Sequence, residues 1–138
     1  MTHLPIRIVL WVIAAYHLLV GVAAVLFQGL AVKLGSLLFG VSISLTAESE
    51  LLVRYLGAFG VSFGVLAALA ALAPEKNRAI IYGLVVYFGV RALSRVVWWD
   101  LLAQHTVGPA SNGARIVIIV LFAAALLFFM PRERSDAG

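Results

Sequence analysis

Apolar positions in this chain come in long runs separated by short polar interruptions. They extend from about Ile8 to Leu30, Leu51 to Ala73, Ala79 to Trp99 and Ile116 to Met130. A membrane helix needs about 20 predominantly apolar residues. The first three runs meet that length, and the fourth approaches it by taking in residues on either side of Arg115. The pattern therefore predicts an all-α integral membrane protein: one domain over residues 1–138, a four-helix up-down bundle with helices at about 8–30, 51–73, 79–99 and 114–131.

The connections differ in kind. "APEKNR" (73–78) is a short polar turn with a helix-stopping Pro74, and "HTVGPASNGAR" (105–115) reads as a longer Gly, Pro, Ser and Asn loop. The stretch 31–50 is mostly apolar with glycines and one lysine. It is expected to lie along the interface as an amphipathic or re-entrant connection, with Thr46 or Ser49 of "TAESE" capping the second helix. Arg7 before the first run resembles the start of a secretory signal. That run is too long for one and no clean small-x-small site follows, so a retained helix is expected.

Composition sharpens this picture: 64% of the 138 residues are hydrophobic and 12% are charged. The segments outside the apolar runs are too short to fold by themselves, which confines any function to the membrane or its edge. The net charge of +4 comes from scattered basic residues without a basic stripe, which argues against a nucleic-acid partner. No cysteine is present, so disulfides and thiolate metal sites are excluded. His3, His17 and His105 fall at three different depths without HxxxH spacing, and no Gly-rich phosphate loop or Ser, His and Asp set occurs. Neither a metal nor a cofactor is expected. Arg7, Lys76, Arg78, Arg132 and Arg134 on one side, against Lys33 and Arg115 on the other, put both termini in the cytoplasm by the positive-inside rule.

Small residues mark where helices should touch. Gly57, Gly60, Gly64, Ala67, Ala68 and Ala71 share one face of the second helix, as Ala14, His17, Gly21, Ala24 and Gln28 share one face of the first. Such faces let backbones approach closely in lipid. They suit a seam inside the bundle or one for another subunit. His17, near the midplane, reads either as a hydrogen-bonded core residue or as part of a ligand or proton-transfer site.

The third helix ends in "GVRALSRVVWWD" (89–100). Tyr87, Arg91, Ser94, Arg95 and Trp98 recur at helical spacing. At about 1.5 Å per residue from Ala79, Arg91 lies roughly 18 Å and Arg95 roughly 24 Å into a core about 30 Å thick. Each embedded arginine costs about 2.5–3.5 kcal/mol on insertion scales, so anionic partners or water are expected beside it. Glu50 and Arg54 form an i, i+4 pair at the entry of the second helix, and Asp100 follows the arginines. A cluster of Glu50, Arg54, Arg91, Arg95 and Asp100 is expected, read as a structural network, a ligand site or, least well supported, a catalytic one. Trp98 and Trp99 are expected interface anchors.

Together "WVIAAYHLLVG" (11–21) and residues 51–98 resemble small bacterial four-helix membrane proteins of the BphX-like and DoxX-like families. The likeness rests on Arg54 ahead of the Gly57, Gly60 and Gly64 face, the Pro74 and Arg78 turn, and Arg91, Ala92 and Arg95 ending the third helix. It implies a four-helix bundle and an accessory role in a membrane assembly handling redox or lipophilic compounds. Two readings follow: a small accessory or interaction subunit of the inner membrane, contacting lipids and either partner subunits or further copies of itself, or a binding protein for a lipophilic ligand. In the second, Arg91 and Arg95 hold an anionic or polar head and His17 and Tyr87 line the deeper part.

Overall fold

The computed structural model describes residues 3–39, 44, 46–105 and 109–131. Arg132 and Arg134 of the charge count, 40–43 and 45 of the connection, and 106–108 of the loop lie outside the described residues. The elements are α1 (Leu4–Leu26), α2 (Gln28–Phe39), α3 (Ala47–Leu72), α4 (Arg78–Val97), α5 (Trp99–His105) and α6 (Pro109–Phe129). There is no strand among the described residues. Four helices, α1, α3, α4 and Asn112–Phe129 of α6, are long and apolar enough to cross a membrane, as expected of a multi-pass helical bundle. Around the bundle α1 packs on α3, α3 on α4, α4 on α6 and α6 back on α1, each neighbour antiparallel.

Local chemistry sets the helix ends. Pro5 stands in the first turn of α1, where its missing N–H costs nothing. The first span stops at Leu26, not Leu30. Gln28 turns its amide back to donate to the Val25 carbonyl at 2.9 Å, and after Phe27 the chain begins α2 in a new direction. Thr46 caps α3 as expected: its hydroxyl accepts from Ser49 N at 3.2 Å, while Ser49 Oγ accepts from Thr46 N at 2.8 Å. Thr46→Ala should cost about 1 kcal/mol and fray only the first turn of α3. Hydrogen exchange confined to residues near Glu48 would show this, and unchanged protection there would refute the cap's role.

The stretch 105–115 departs most from the sequence reading. It was expected to be a loop, yet α6 is already helical at Pro109. Proline is tolerated at a helix start, and Asn112 finds a tertiary partner, so the polar composition does not break the helix.

The core lies on the inward faces: Ile6, Leu10 and Ile13 of α1, Ala67, Ala70 and Ala71 of α3, Ile81, Leu84 and Phe88 of α4, Ile119 and Leu126 of α6. Outward faces are equally apolar, with Leu19 71% and Phe128 82% exposed. Helices apolar all round suit lipid as the surrounding solvent.

The tightest packing is the crossing of α1 and α3. A methyl placed on Gly21 would sit 2.6 Å from Val61 N and 2.8 Å from the Gly57 carbonyl, and one on Gly64 would sit 2.6 Å from Leu18 Cγ. The small-residue faces of both helices therefore meet each other as a seam inside the bundle. At the end formed by the N-terminus and the 73–78 turn, Arg7 Nε donates to the Ala71 carbonyl at 3.1 Å, His3 pairs with Glu75, and Asn77 donates to the carbonyls of Leu69 and Ala73, each at 3.0 Å. These contacts satisfy carbonyls left open where α3 stops.

Candidate functional site

Two cavities meet at His17. The α1–α3 seam places this residue on the buried face of α1, 6% exposed, in the company of Tyr16, Phe63, Tyr87 and Phe88. Its Nδ1 lies 2.9 Å from the Ile13 carbonyl. A carbonyl only accepts, so Nδ1 carries the hydrogen of this contact. Nε2 is buried and makes no hydrogen bond. Phe63 stacks on Tyr87 at 4.4 Å between centroids, and Phe88 on Phe122 at 5.9 Å, which fixes the rings around the histidine.

Arg91 and Arg95 reach the same region from α4. Arg91 donates to the Tyr87 hydroxyl at 3.2 Å, with its guanidinium 6.0 Å from that ring's centroid. Arg95 donates to Asn112 Oδ1 on α6 at 2.7 Å. Asn112 is fully buried, and its Nδ2 is left without an acceptor. That amide is a donor held in an apolar setting, which is costly unless something accepts from it.

The first cavity, about 300 Å³, opens between α1, α4 and α6. Arg91, Arg95 and Arg115 line it with Tyr16 and His17, and the rest of its wall is apolar, including Val12, Ile118 and Phe122. The second, about 470 Å³, lies between α1, α3 and α4 under α2, with Gly21, Gly57 and Gly60 on its floor and Ala31 and Gly35 on its roof. Tyr16, His17 and Arg91 line both. No carboxylate, Ser or Thr lines either one among the described residues. Such walls can hold an acceptor-rich or anionic group and an apolar body.

Among the residues singled out from the sequence, Arg91, Arg95, Tyr87 and His17 come together. Glu50 and Arg54 do not join them. They pair with each other at 2.6 Å on the exposed part of α3. Gly57 lies level with Ala24 and Val25, so Arg54 stands beyond the end of α1, roughly 15 Å along the bundle from His17 at 1.5 Å per residue. Asp100 is exposed on α5. The five-residue cluster is thus divided by direction: Arg95 turns to Asn112 on α6 and Arg91 to Tyr87, whereas Glu50 and Arg54 stay on the exposed surface of α3. Trp98 is 59% exposed at the end of α4 and Trp99 is half-buried at the start of α5. Ser94 faces outward and donates to its own helix at Val90.

Sequence reasoning passed over Tyr16, Asn112 and Arg115 as members of the site. The signal for the last two was present: Asn112, Arg115, Ile119, Phe122 and Leu126 recur at spacings of three and four, but only if 109–115 is read as helix. Among the described residues no group of His, Asp or Glu is placed to hold a metal ion. Compared with protein families, curated proteins and solved structures, the chain matches none.

Proposed function

We propose that this protein is a multi-pass protein of the inner, cytoplasmic membrane, with both termini cytoplasmic, that binds a lipophilic molecule bearing an anionic or polar head. The observation that carries this is the convergence of Arg91, Arg95 and Arg115 on the wall of one largely apolar cavity, next to Tyr16 and His17. Each embedded arginine costs about 2.5–3.5 kcal/mol to insert, and a head group that accepts several charge-assisted hydrogen bonds recovers much of it. The apolar wall receives the remainder of the molecule, and a volume of about 300 Å³ is at the lower end for small-molecule sites. The resemblance to DoxX-like proteins, itself part of the proposal, fits a role in handling lipophilic compounds.

Purification in a mild detergent, followed by mass spectrometry of everything retained, tests this reading. One acidic or polar-headed lipophile at near-stoichiometric amount supports it. A stoichiometric protein partner with no retained lipophile supports the accessory-subunit reading instead. A protein that emerges alone and empty counts against both.

A further inference from the structure

Resting on that binding reading, we propose that the ligand carries an extended hydrocarbon chain which passes Tyr16 and His17 into the second cavity, and that Gly35 on α2 sets the length of chain admitted. The first cavity supplies the cationic wall, whereas the second is apolar apart from Tyr87 and the residues the two share. Those shared residues, Tyr16, His17 and Arg91, are where the head group of such a molecule meets its chain. An amphiphile is the one shape of ligand that uses both: its anionic end beside the arginines, its chain over the glycine floor where α1 and α3 cross.

The glycines of this second cavity serve two different ends. Gly21, Gly57 and Gly60 are small because the α1–α3 crossing leaves no room: a methyl on any of them would meet α1 or α3 atoms within 3.2 Å. Gly35 has no such constraint. A methyl there would meet nothing within 4 Å, yet Gly35 lines the cavity. Glycine in a helix interior is disfavoured relative to alanine, so at Gly35 the missing side chain keeps space open at a cost in helix stability without any packing need. Gly29, Gly83 and Gly89 are open in the same way but line neither cavity, so what distinguishes Gly35 is its place on the cavity wall.

Native mass spectrometry of the full chain in detergent, with octyl phosphate or hexadecyl phosphate added, separates this proposal from the one beneath it. Gly35→Leu and Gly35→Trp add bulk at the cavity wall, from a Cβ position that meets nothing within 4 Å. They should lower hexadecyl phosphate occupancy by about tenfold, because methylenes excluded from an apolar cavity each weaken binding several-fold, and leave octyl phosphate nearly unchanged. Gly83→Trp, where a side chain also meets nothing within 4 Å, is the control and should change neither. Equal loss of both probes in the Gly35 variants, or loss of neither, overturns the chain-channel proposal while leaving the binding reading in place. If the unsubstituted protein binds neither probe, or binds them equally well after Arg95→Ala, the binding reading itself fails. Competition by phosphatidylglycerol identifies a bilayer phospholipid as the natural source of the head and chain; its absence points to a free single-chain amphiphile.

Discussion

Leucine at Gly57 should prevent the bundle from holding together in mild detergent. A methyl at this position would already lie 2.7 Å from Ala24 Cβ, 2.8 Å from the Gly21 carbonyl and 2.9 Å from Val25 N. Overpacking costs about 1–3 kcal/mol where side chains can move aside. Two of these three neighbours are backbone atoms, so relief requires α1 and α3 to separate, and the loss should exceed that range. In lipid no water-exclusion force restores the contact, since helix association there depends on close packing. Gly83→Leu is the matched control, because its side chain enters open space. Size-exclusion profiles and thermal unfolding in the same detergent would compare them; a Gly57→Leu protein that unfolds within a few degrees of the parent would disprove the close crossing.

Removing the cationic wall should separate binding from folding. Arg95→Ala alone would leave the buried Asn112 without the donor to its Oδ1, at a cost of about 1–3 kcal/mol, and so confuses the two. Arg95→Met combined with Asn112→Leu replaces both partners by apolar side chains that keep the site filled, a change that is close to neutral for stability. The double variant also loses the roughly 2.5–3.5 kcal/mol insertion cost of the arginine. Its unfolding temperature should therefore stay near that of the parent. Retention of hexadecyl phosphate should fall by about tenfold or more, since a charge-assisted hydrogen bond contributes about 1.5–3 kcal/mol. Adding Arg91→Ala should deepen the loss. If unfolding temperature and retention decline in parallel across these variants, the arginines form a structural network only.

Much of the bundle was legible because its signals are local. The runs of apolar residues, the Pro74 turn and the Thr46 cap each depend on a few neighbours in sequence, and each stands close to where expected, with the first span displaced by four residues to Leu4–Leu26. The stripes of small residues were legible as packing faces, and the structure turns the two stripes toward each other. The start of α6 was misread because Gly, Pro, Ser and Asn usually mark loops; a proline at a helix start and an asparagine with a tertiary partner are compatible with helix. That single misreading hid Asn112 and Arg115 from the site.

The membrane-spanning character and the α-helical class follow from the sequence alone, because in lipid a chain this apolar must satisfy its backbone polar groups within each helix. The embedded arginines were equally plain, since no fold changes the identity or helical phase of Arg91 and Arg95. Their neighbours were a tertiary matter. Position along one helix says nothing about which neighbour a side chain turns toward, and the packing of α4 on α6 and α1 brings Tyr16, His17 and Arg115 to the cavity that Arg91 and Arg95 line, while Glu50 stays with Arg54 on the surface of α3.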